Sequence, residues 1–298
     1  MIVKTLGAGA GGGLPQWNCG CPQCHAARSG VIAPMTQSSV AVSLNGADWL
    51  VLNASPDLRH QMQVTPALHP NGLRKSPLRA VVLTNGDVDH IAGLLTLREQ
   101  TAFSLFATAT TLQELASNSV FAVLNPALVP RVPIVLDQPF SPLPGLVVTA
   151  YAVPGKIPLY LEPQGDAPLN TTAMGETTIA LRIAGGGRVM HYLPGCATLP
   201  DWLCDRLTEA DLVLFDGTVW ADDDMQRSGT GVKSGARMGH LAMSGPQGSL
   251  ARLSDLRARR FFIHINNTNP ALMPDSPERA ALRAAGWELS HDGMEIAL

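Results

Sequence analysis

A polar heptapeptide that directly follows a short apolar run is the strongest constraint on how this chain can fold. The apolar run covers residues 80–83 (AVVL), and the heptapeptide covers residues 84–90 (TNGDVDH). Such a run, bounded by polar residues, is typical of a buried strand. Acids and a histidine at the end of a buried strand are costly unless a partner neutralises them, and a bound cation would do so. The alternative is that Asp87 or Asp89 caps the helix that the next residues predict.

The composition indicates a well-packed globular protein. Of its 298 residues, 46% are hydrophobic and 15% are charged, which is enough apolar material for a full core in one domain over 1–298. The net charge of −3 gives no reason to expect a nucleic-acid partner. We see neither a secretory leader pattern nor an apolar run near ~18 residues, so we expect a cytoplasmic protein without a membrane span.

Cysteine spacing points to a metal ion. Three of the five cysteines, Cys19, Cys21 and Cys24, fall within six residues, and the odd total argues against a disulfide framework. Three thiolates at this spacing can reach one tetrahedral ion, and soft sulfur ligands favour zinc, so we expect a structural zinc site. The alternative is that they are reduced structural cysteines without a metal.

Several other polar side chains follow predicted strands. Asp216 closes the apolar run at 212–215, and His264 closes the run at 261–263. Between them, residues 221–240 have the composition of a long loop that could cover a substrate, and His240 lies before a helix predicted over 247–257. Strands in two batches, each followed by helices, predict two packed sheets with helices outside and the polar residues at one edge.

A glycine-rich segment near the N-terminus matches a dinucleotide-binding pattern only superficially. Residues 7–12 fit G-x-G-x-x-G, but that motif must open a helix, and the following residues 14–19 (LPQWNC) do not predict one. We therefore expect no nucleotide cofactor. We interpret the segment as a loop whose glycines let the backbone pass close beneath a site.

Residues 84–90 resemble the signature Thr-His-x-His-x-Asp-His of the metallo-β-lactamase superfamily. Asn85 and Asp87 stand where the signature has its first two histidines, and Lys156, after Pro-Gly, stands where a third metal-binding histidine is common. The resemblance implies an αββα sandwich of two mixed sheets flanked by helices. It also implies active-site metal ligands at the positions that match: Asp89, His90, Asp216 and His264.

The cysteine motif resembles the zinc clip of a phosphodiesterase branch of that superfamily. There the fourth ligand is a histidine three residues after the last active-site histidine. Asn267 holds that position here, and an amide oxygen is a poor zinc ligand. The fourth ligand therefore stays open among Asn267, the adjacent His25 and another group.

Over nearly its whole length the chain resembles the coenzyme PQQ synthesis protein B family. The altered central motif together with residues 264–270 (HINNTNP) carries this resemblance. It implies a role in making pyrroloquinoline quinone (PQQ) from a glutamate and a tyrosine of a precursor peptide. The implied partners are a dipeptide-like substrate and the other PQQ biosynthesis proteins, and a homodimer stays open.

The loss of histidines favours one activity among three. Two histidines and a carboxylate with open positions suit non-haem Fe(II) and O₂, so we expect an oxygenase that hydroxylates the tyrosine ring, with Mn or Zn as alternative metals. Asp87, Lys156 and His240 are the candidate catalytic groups, with Lys156 placed to hold a substrate carboxylate. The alternatives are a carrier for PQQ or its precursor towards the periplasm, and a phosphodiesterase-like hydrolase.

Overall fold

The computed structural model describes residues 1–163 and 169–298, which form two packed β-sheets covered by helices. The strands are β1 (Ile2–Gly7), β2 (Ser39–Ser43), β3 (Trp49–Leu52), β4 (Leu78–Val82), β5 (Ser104–Thr108), β6 (Arg131–Ile134), β7 (Pro139–Leu143), β8 (Leu146–Ala152), β9 (Ile179–Gly185), β10 (Arg188–Leu193), β11 (Leu212–Asp216), β12 (Arg259–Ile263), β13 (Glu288–Leu289) and β14 (Glu295–Ala297). One seven-stranded sheet has the order β14-β1-β2-β3-β4-β5-β6, and the other has the order β13-β12-β11-β10-β9-β8-β7. The predicted αββα sandwich of two mixed sheets is confirmed.

The helices lie on the outer faces and in the connections. They are α1 (Pro22–Arg28), α2 (Leu58–Val64), α3 (Val88–Ile91), α4 (Ala109–Ser117), α5 (Asp201–Leu207), α6 (Asp224–Arg227), α7 (Gly235–Met238), α8 (Ser249–Arg252) and α9 (Pro277–Ala284). The described residues also form five short 3₁₀ helices, at Pro66–Leu68, Ala92–Leu97, Ser119–Val123, Leu159–Leu161 and Pro270–Leu272. Within the described ranges no helix is long and apolar enough to cross a membrane.

The helix predicted over 247–257 is wrong in extent, because α8 makes a single turn. It starts only after Gly248, where a Cβ would lie 2.1 Å from the carbonyl oxygen of Ser244. It stops early because the Arg260 guanidinium takes the carbonyl oxygens of Leu253 and Ser254, both at 3.2 Å. His240 lies just after α7, which ends at Met238, and does not begin a helix.

Both faces of the central strands are buried, which explains their continuous apolar runs. In β4, Ala80 and Val82 pack in the core between the sheets, while Val81 packs under the helices of the first sheet. In β11, Leu214 faces the inter-sheet core and Phe215 faces the helices of the second sheet. Each of these valine, leucine and phenylalanine side chains contributes about 1.5–3 kcal/mol by leaving water.

The carboxyl ends of parallel strands bring the polar residues to one edge. Strands β3 to β6 run parallel to one another, and so do β10 to β13. Ligand sites in such sheets lie outside the carboxyl ends of the strands. The polar connections after β4, β11 and β12 all leave the sandwich on this side, as the sequence predicts.

The glycine-rich loop passes beneath this edge and opens no helix. Its backbone pairs with the segment after β12, since Ala10 N–H donates to Ile265 O at 2.8 Å and Ile265 N–H donates to Ala8 O at 2.9 Å. A Cβ on Gly7 would lie 2.2 Å from Gln37 O, so only glycine fits there.

Candidate metal centre and substrate pocket

His90 is held in one tautomer by Asn85. The Asn85 Oδ1 atom accepts the Asp87 backbone N–H at 3.0 Å and lies 2.7 Å from His90 Nδ1. Because a backbone N–H can only donate, this oxygen is the acceptor in both contacts, and Nδ1 of His90 must carry the proton. The lone pair then sits on Nε2, which is buried and has no hydrogen-bond partner among the described residues. An orphaned imidazole nitrogen of this kind is the state that a metal ligand requires.

Asp89 and His264 complete a cluster around that nitrogen. The Asp89 Oδ2 atom lies 3.0 Å from His264 Nε2 and 4.0 Å from His90 Nε2. One ligand atom from each of these three residues fits within 4.8 Å of the others. They come from both sheets, since Asp89 and His90 follow β4 and His264 follows β12. His264 is also one of the few residues other than glycine with left-handed backbone, at φ 59°.

The cluster has the charge pattern of a cation site. Burial alone would raise the pKa of Asp89, but the neighbouring His90 and His264 hold it well below its usual value. Burial lowers the pKa of His90 to about 4, so this imidazole is neutral at pH 7. Burial would also lower the pKa of His264, but the hydrogen bond and charge of Asp89 raise it. An ionised carboxylate beside a neutral imidazole provides two donors that a divalent ion can use.

Asp216 and His240 form a second group behind His264. The carboxylate of Asp216 accepts four hydrogen bonds: from Cys196 N–H at 2.9 Å, from the Thr218 N–H at 3.0 Å and Oγ at 2.7 Å, and from His240 Nδ1 at 2.7 Å. The pKa of Asp216, which burial would raise, is lowered by His240. One ligand atom from each of Asp216, His240 and His264 also lies within 4.8 Å of the others. That Asp216 is itself a ligand stays a prediction, since its oxygens are already fully hydrogen-bonded here.

Thr218 connects the two groups. Its Oγ lies 2.8 Å from His264 Nδ1 and 3.1 Å from His240 Nδ1. With a single proton to give, and Asp216 Oδ1 as an acceptor at 2.7 Å, the hydroxyl can accept the proton of His264 Nδ1. The Nε2 of His264 faces the Asp89 carboxylate at 3.0 Å, and because a carboxylate only accepts, this nitrogen carries a proton in that contact. A metal ion bound here would displace that proton and take the Nε2 lone pair.

A pocket of about 270 Å³ opens above the cluster, and all three candidate catalytic groups line it. Asp87 occupies the N-cap position of α3, but its side chain makes no capping bond, which argues against the purely structural alternative. Burial and the charge of Asp89 raise the pKa of Asp87. Lys156 is 13% exposed, and its Nζ lies 3.2 Å from Glu162 Oε1.

The three cysteines of the N-terminal motif converge as predicted. One sulfur from each lies within 4.8 Å of the others. Asn267, not His25, lies against them, with its Nδ2 at 3.3 Å from Cys24 Sγ and 3.6 Å from Cys21 Sγ. Backbone N–H groups also donate to sulfur, from Gln16 to Cys24 at 3.4 Å. The three sulfurs would supply three ligands to a zinc ion. The side-chain amide of Asn267 can turn, so the fourth coordination position would be weakly occupied or open.

Known proteins match this chain over most or all of its length. Residues 48–265 match the model of the beta-lactamase superfamily domain. The chain is 53% identical, over the full length of both proteins, to a coenzyme PQQ synthesis protein B of Ruegeria pomeroyi and to another of Methylobacterium radiotolerans. This chain belongs to the coenzyme PQQ synthesis protein B family. The resemblance found in the sequence is thereby confirmed.

Solved structures extend the comparison. A Zn(2+)-bound PqqB from Methylobacterium extorquens is 52% identical, with a TM-score of 0.97 over 100% of both chains. A diphosphatase from the PhnP family is 22% identical, with a TM-score of 0.67 over 99% of this chain and 96% of the other. The first relative supports zinc binding within the family, and the second shows a shared fold alone.

Sequence reasoning missed the groups that support the ligands. Asn85 was identified only as a lost histidine and Thr218 was given no role, although Asn85 fixes the tautomer of His90 and the Thr218 hydroxyl contacts Nδ1 of His264. The backbone N–H of Cys196 also donates to Asp216, and the Cys196 side chain is buried. Glu162 had no signal at all, because its contacts depend on where a loop lies.

Proposed function

We propose that this chain is an iron-dependent oxygenase of PQQ biosynthesis, which hydroxylates the tyrosine ring of a Glu–Tyr-derived precursor. The observation that carries the proposal is the orphaned Nε2 of His90, buried beside Asp89 and His264. Two imidazoles and one carboxylate gathered at a pocket form the donor set typical of non-haem Fe(II) oxygenases. We assign zinc to Cys19, Cys21 and Cys24, because thiolates prefer the softer ion.

The metal and the protein have separate tasks in this proposal. Bound Fe(II) would supply the activation of O₂. Asp89, His90 and His264 would hold it, and Asn85 would keep the His90 lone pair directed at it. The overall change replaces a ring C–H by C–OH and releases one water, with two electrons and two protons from an external reductant and the solvent.

The other pocket residues would orient the substrate and move a proton. His240 Nδ1 donates to Asp216, so the lone pair on Nε2 can accept the phenol proton of the substrate. A more electron-rich phenolate ring is easier to hydroxylate. Lys156 would hold a carboxylate of the substrate, and Asp87, which lines the same pocket, would form a hydrogen bond to the substrate.

The test is oxygen consumption by protein that is purified anaerobically and loaded with Fe(II), with a cross-linked Glu–Tyr substrate and a reductant. We expect a product that carries one added oxygen atom, and loss of both oxygen uptake and product in His90→Ala. His60→Ala is the matched control, because His60 is an exposed histidine away from the pocket. Equal product from His90→Ala and wild type would refute the assignment.

Two further assays separate the alternative functions. Tight PQQ binding without turnover under the same conditions would favour a carrier. Hydrolysis of a bis-nitrophenyl phosphate with Mn or Zn, lost in His90→Ala, would favour a phosphodiesterase-like enzyme.

A further inference from the structure

Three cations converge on one carboxylate at the wall of the pocket. Glu162 Oε2 lies 2.9 Å from Arg237 Nη2 and 4.0 Å from Lys233 Nζ, while its Oε1 lies 3.2 Å from Lys156 Nζ. The Glu162 side chain is only 9% exposed. Lys156, Lys233 and Glu162 line the pocket, and Arg237 supports Glu162 from the side. We refer to Lys156, Lys233 and Arg237 as the cation trio.

The cation trio carries more charge than Glu162 can neutralise. Three positive groups against one carboxylate leave a surplus of two positive charges in this contact set. One donor here, Arg237 Nη1, is buried without a hydrogen-bond partner among the described residues. Under-used donors beside a pocket are a site built to take further acceptor oxygens.

Among the described residues, few contacts other than the ion pairs of Glu162 hold the turn Leu159–Leu161 that precedes it. Leu159 N–H donates to Asp87 Oδ1 at 3.2 Å, and the Tyr160 hydroxyl donates to Gly86 O at 3.0 Å. Leu159 and Leu161 are 60% and 45% exposed, so little apolar burial fixes this turn. A segment with so few buried contacts can move at low free-energy cost.

We propose that the cation trio is the carboxylate-binding subsite of the pocket, and that Glu162 fills it until a ligand with two or more carboxylates displaces it. This deepens the proposed function by naming how its substrate is recognised, and it rests on that function for the identity of the pocket. Glu162 acts as an internal competitor that excludes singly charged ligands. A singly charged ligand cannot offset the free energy of the ion pairs that Glu162 loses when it is displaced. A ligand with several carboxylates can use the surplus charge as well.

The geometry favours a carboxylate over other anions. The subsite already holds a carboxylate, and the Arg237 guanidinium offers the planar paired donors that match one. Two ammonium groups at its side can each take one further oxygen. Substrate specificity in this pocket is therefore set by the number of carboxylates and their spacing.

The test is isothermal titration of the zinc-loaded full chain with trimesate (benzene-1,3,5-tricarboxylate), benzoate and inorganic phosphate. We expect trimesate to bind more tightly than benzoate or phosphate. In Glu162→Gln, trimesate should bind about tenfold more tightly, because removal of a competitor raises the fraction of sites that can accept it. In Arg237→Gln it should bind about tenfold more weakly, the effect of one charge-assisted hydrogen bond.

A charge control and a fold control keep the test decisive. Asp223→Asn removes the same charge from the exposed start of α6, where it pairs with Arg227 at 3.9 Å, and it should leave trimesate affinity unchanged. Thermal unfolding checks that each variant folds. The proposal is overturned if Glu162→Gln changes affinity no more than Asp223→Asn, or if phosphate binds as tightly as trimesate. Because the readout is binding to zinc protein, failure of the iron-dependent activity would leave this result standing, and the reverse also holds.

Discussion

Replacing Asn85 with alanine should weaken metal binding at the His90 cluster. The Asn85 Oδ1 atom makes the only hydrogen bond to His90 Nδ1 that the described residues provide, at 2.7 Å, and it also holds the Asp87 N–H at 3.0 Å. Without it the His90 ring can rotate or adopt the other tautomer, in which Nε2 carries the proton and cannot ligate. Loss of such a supporting group typically reduces metal affinity about 10- to 100-fold, or roughly 1.4–2.8 kcal/mol.

The measurement is a cobalt(II) titration against a chromophoric chelator. Cobalt bound by thiolates has a charge-transfer band that cobalt bound by imidazole and carboxylate lacks, so the two clusters can be followed separately. In Asn85→Ala, only the affinity for the cobalt that is bound by imidazole and carboxylate should fall. Asn85→Asp keeps an acceptor oxygen and should bind at least as tightly as wild type, whereas Asn71→Ala, an exposed asparagine, should have no effect. Wild-type affinity in a folded Asn85→Ala protein would refute the tautomer argument.

Three further predictions test the cysteine cluster, a buried histidine and the core. Asn267→His should strengthen cobalt binding at the cysteine cluster by at least about tenfold, because the histidine supplies a fourth ligand. Unchanged binding would mean that the ion lies elsewhere. Burial lowers the pKa of His191 to about 4 from 6.5. The stability that His191 contributes is therefore complete above pH 6.5 and declines as the pH falls. The reason is that, below pH 6.5, the unfolded chain binds a proton at this residue that the native chain does not bind. Between pH 7.5 and 4.5 the lost free energy of unfolding is about 2.5 kcal/mol. In His191→Gln, whose side chain can keep a hydrogen bond to Tyr151, the free energy of unfolding in urea should fall by that much less over the same pH range. Phe262→Ala should cost about 3–5 kcal/mol in the same assay, because its ring is fully buried and stacks on Trp287 at 4.2 Å between centroids; a loss under about 1 kcal/mol would contradict this packing.

The sequence predicts the central strands and the site edge well, for a simple reason. Strands β4, β11 and β12 are buried on both faces, so their apolar runs are continuous and their ends are marked by the first polar residue. Those polar residues must be stabilised at the edge of the sandwich. Asp89, His90, Asp216 and His264 therefore all come from one local signal, an acid or histidine after a buried strand.

Edge strands and loop residues leave a weaker signal. Strands β6 and β7 contain Pro133 and Pro139, which a sequence argument takes as strand breakers, yet proline is tolerated where no neighbouring strand needs its N–H. His240 and Glu162 reach the pocket from long connections. Their positions depend on hydrogen bonds within these connections, such as the one from Ala236 N–H to Asp222 Oδ1 at 2.7 Å, and sequence spacing does not encode these. The neighbours of Lys156 could not be predicted for the same reason.

The left-handed backbone of His264 has a consequence for the evolution of this fold. A residue with a Cβ is disfavoured by about 1 kcal/mol or more in that conformation, and glycine would occupy it freely. A chain optimised only to stay folded would not keep an imidazole there, so thermostability screens carried out without metal should enrich glycine or asparagine at this position. On the proposed assignment of His264 as a metal ligand, such screens would select proteins that have lost the ion, and laboratory evolution of this family should keep the metal present throughout.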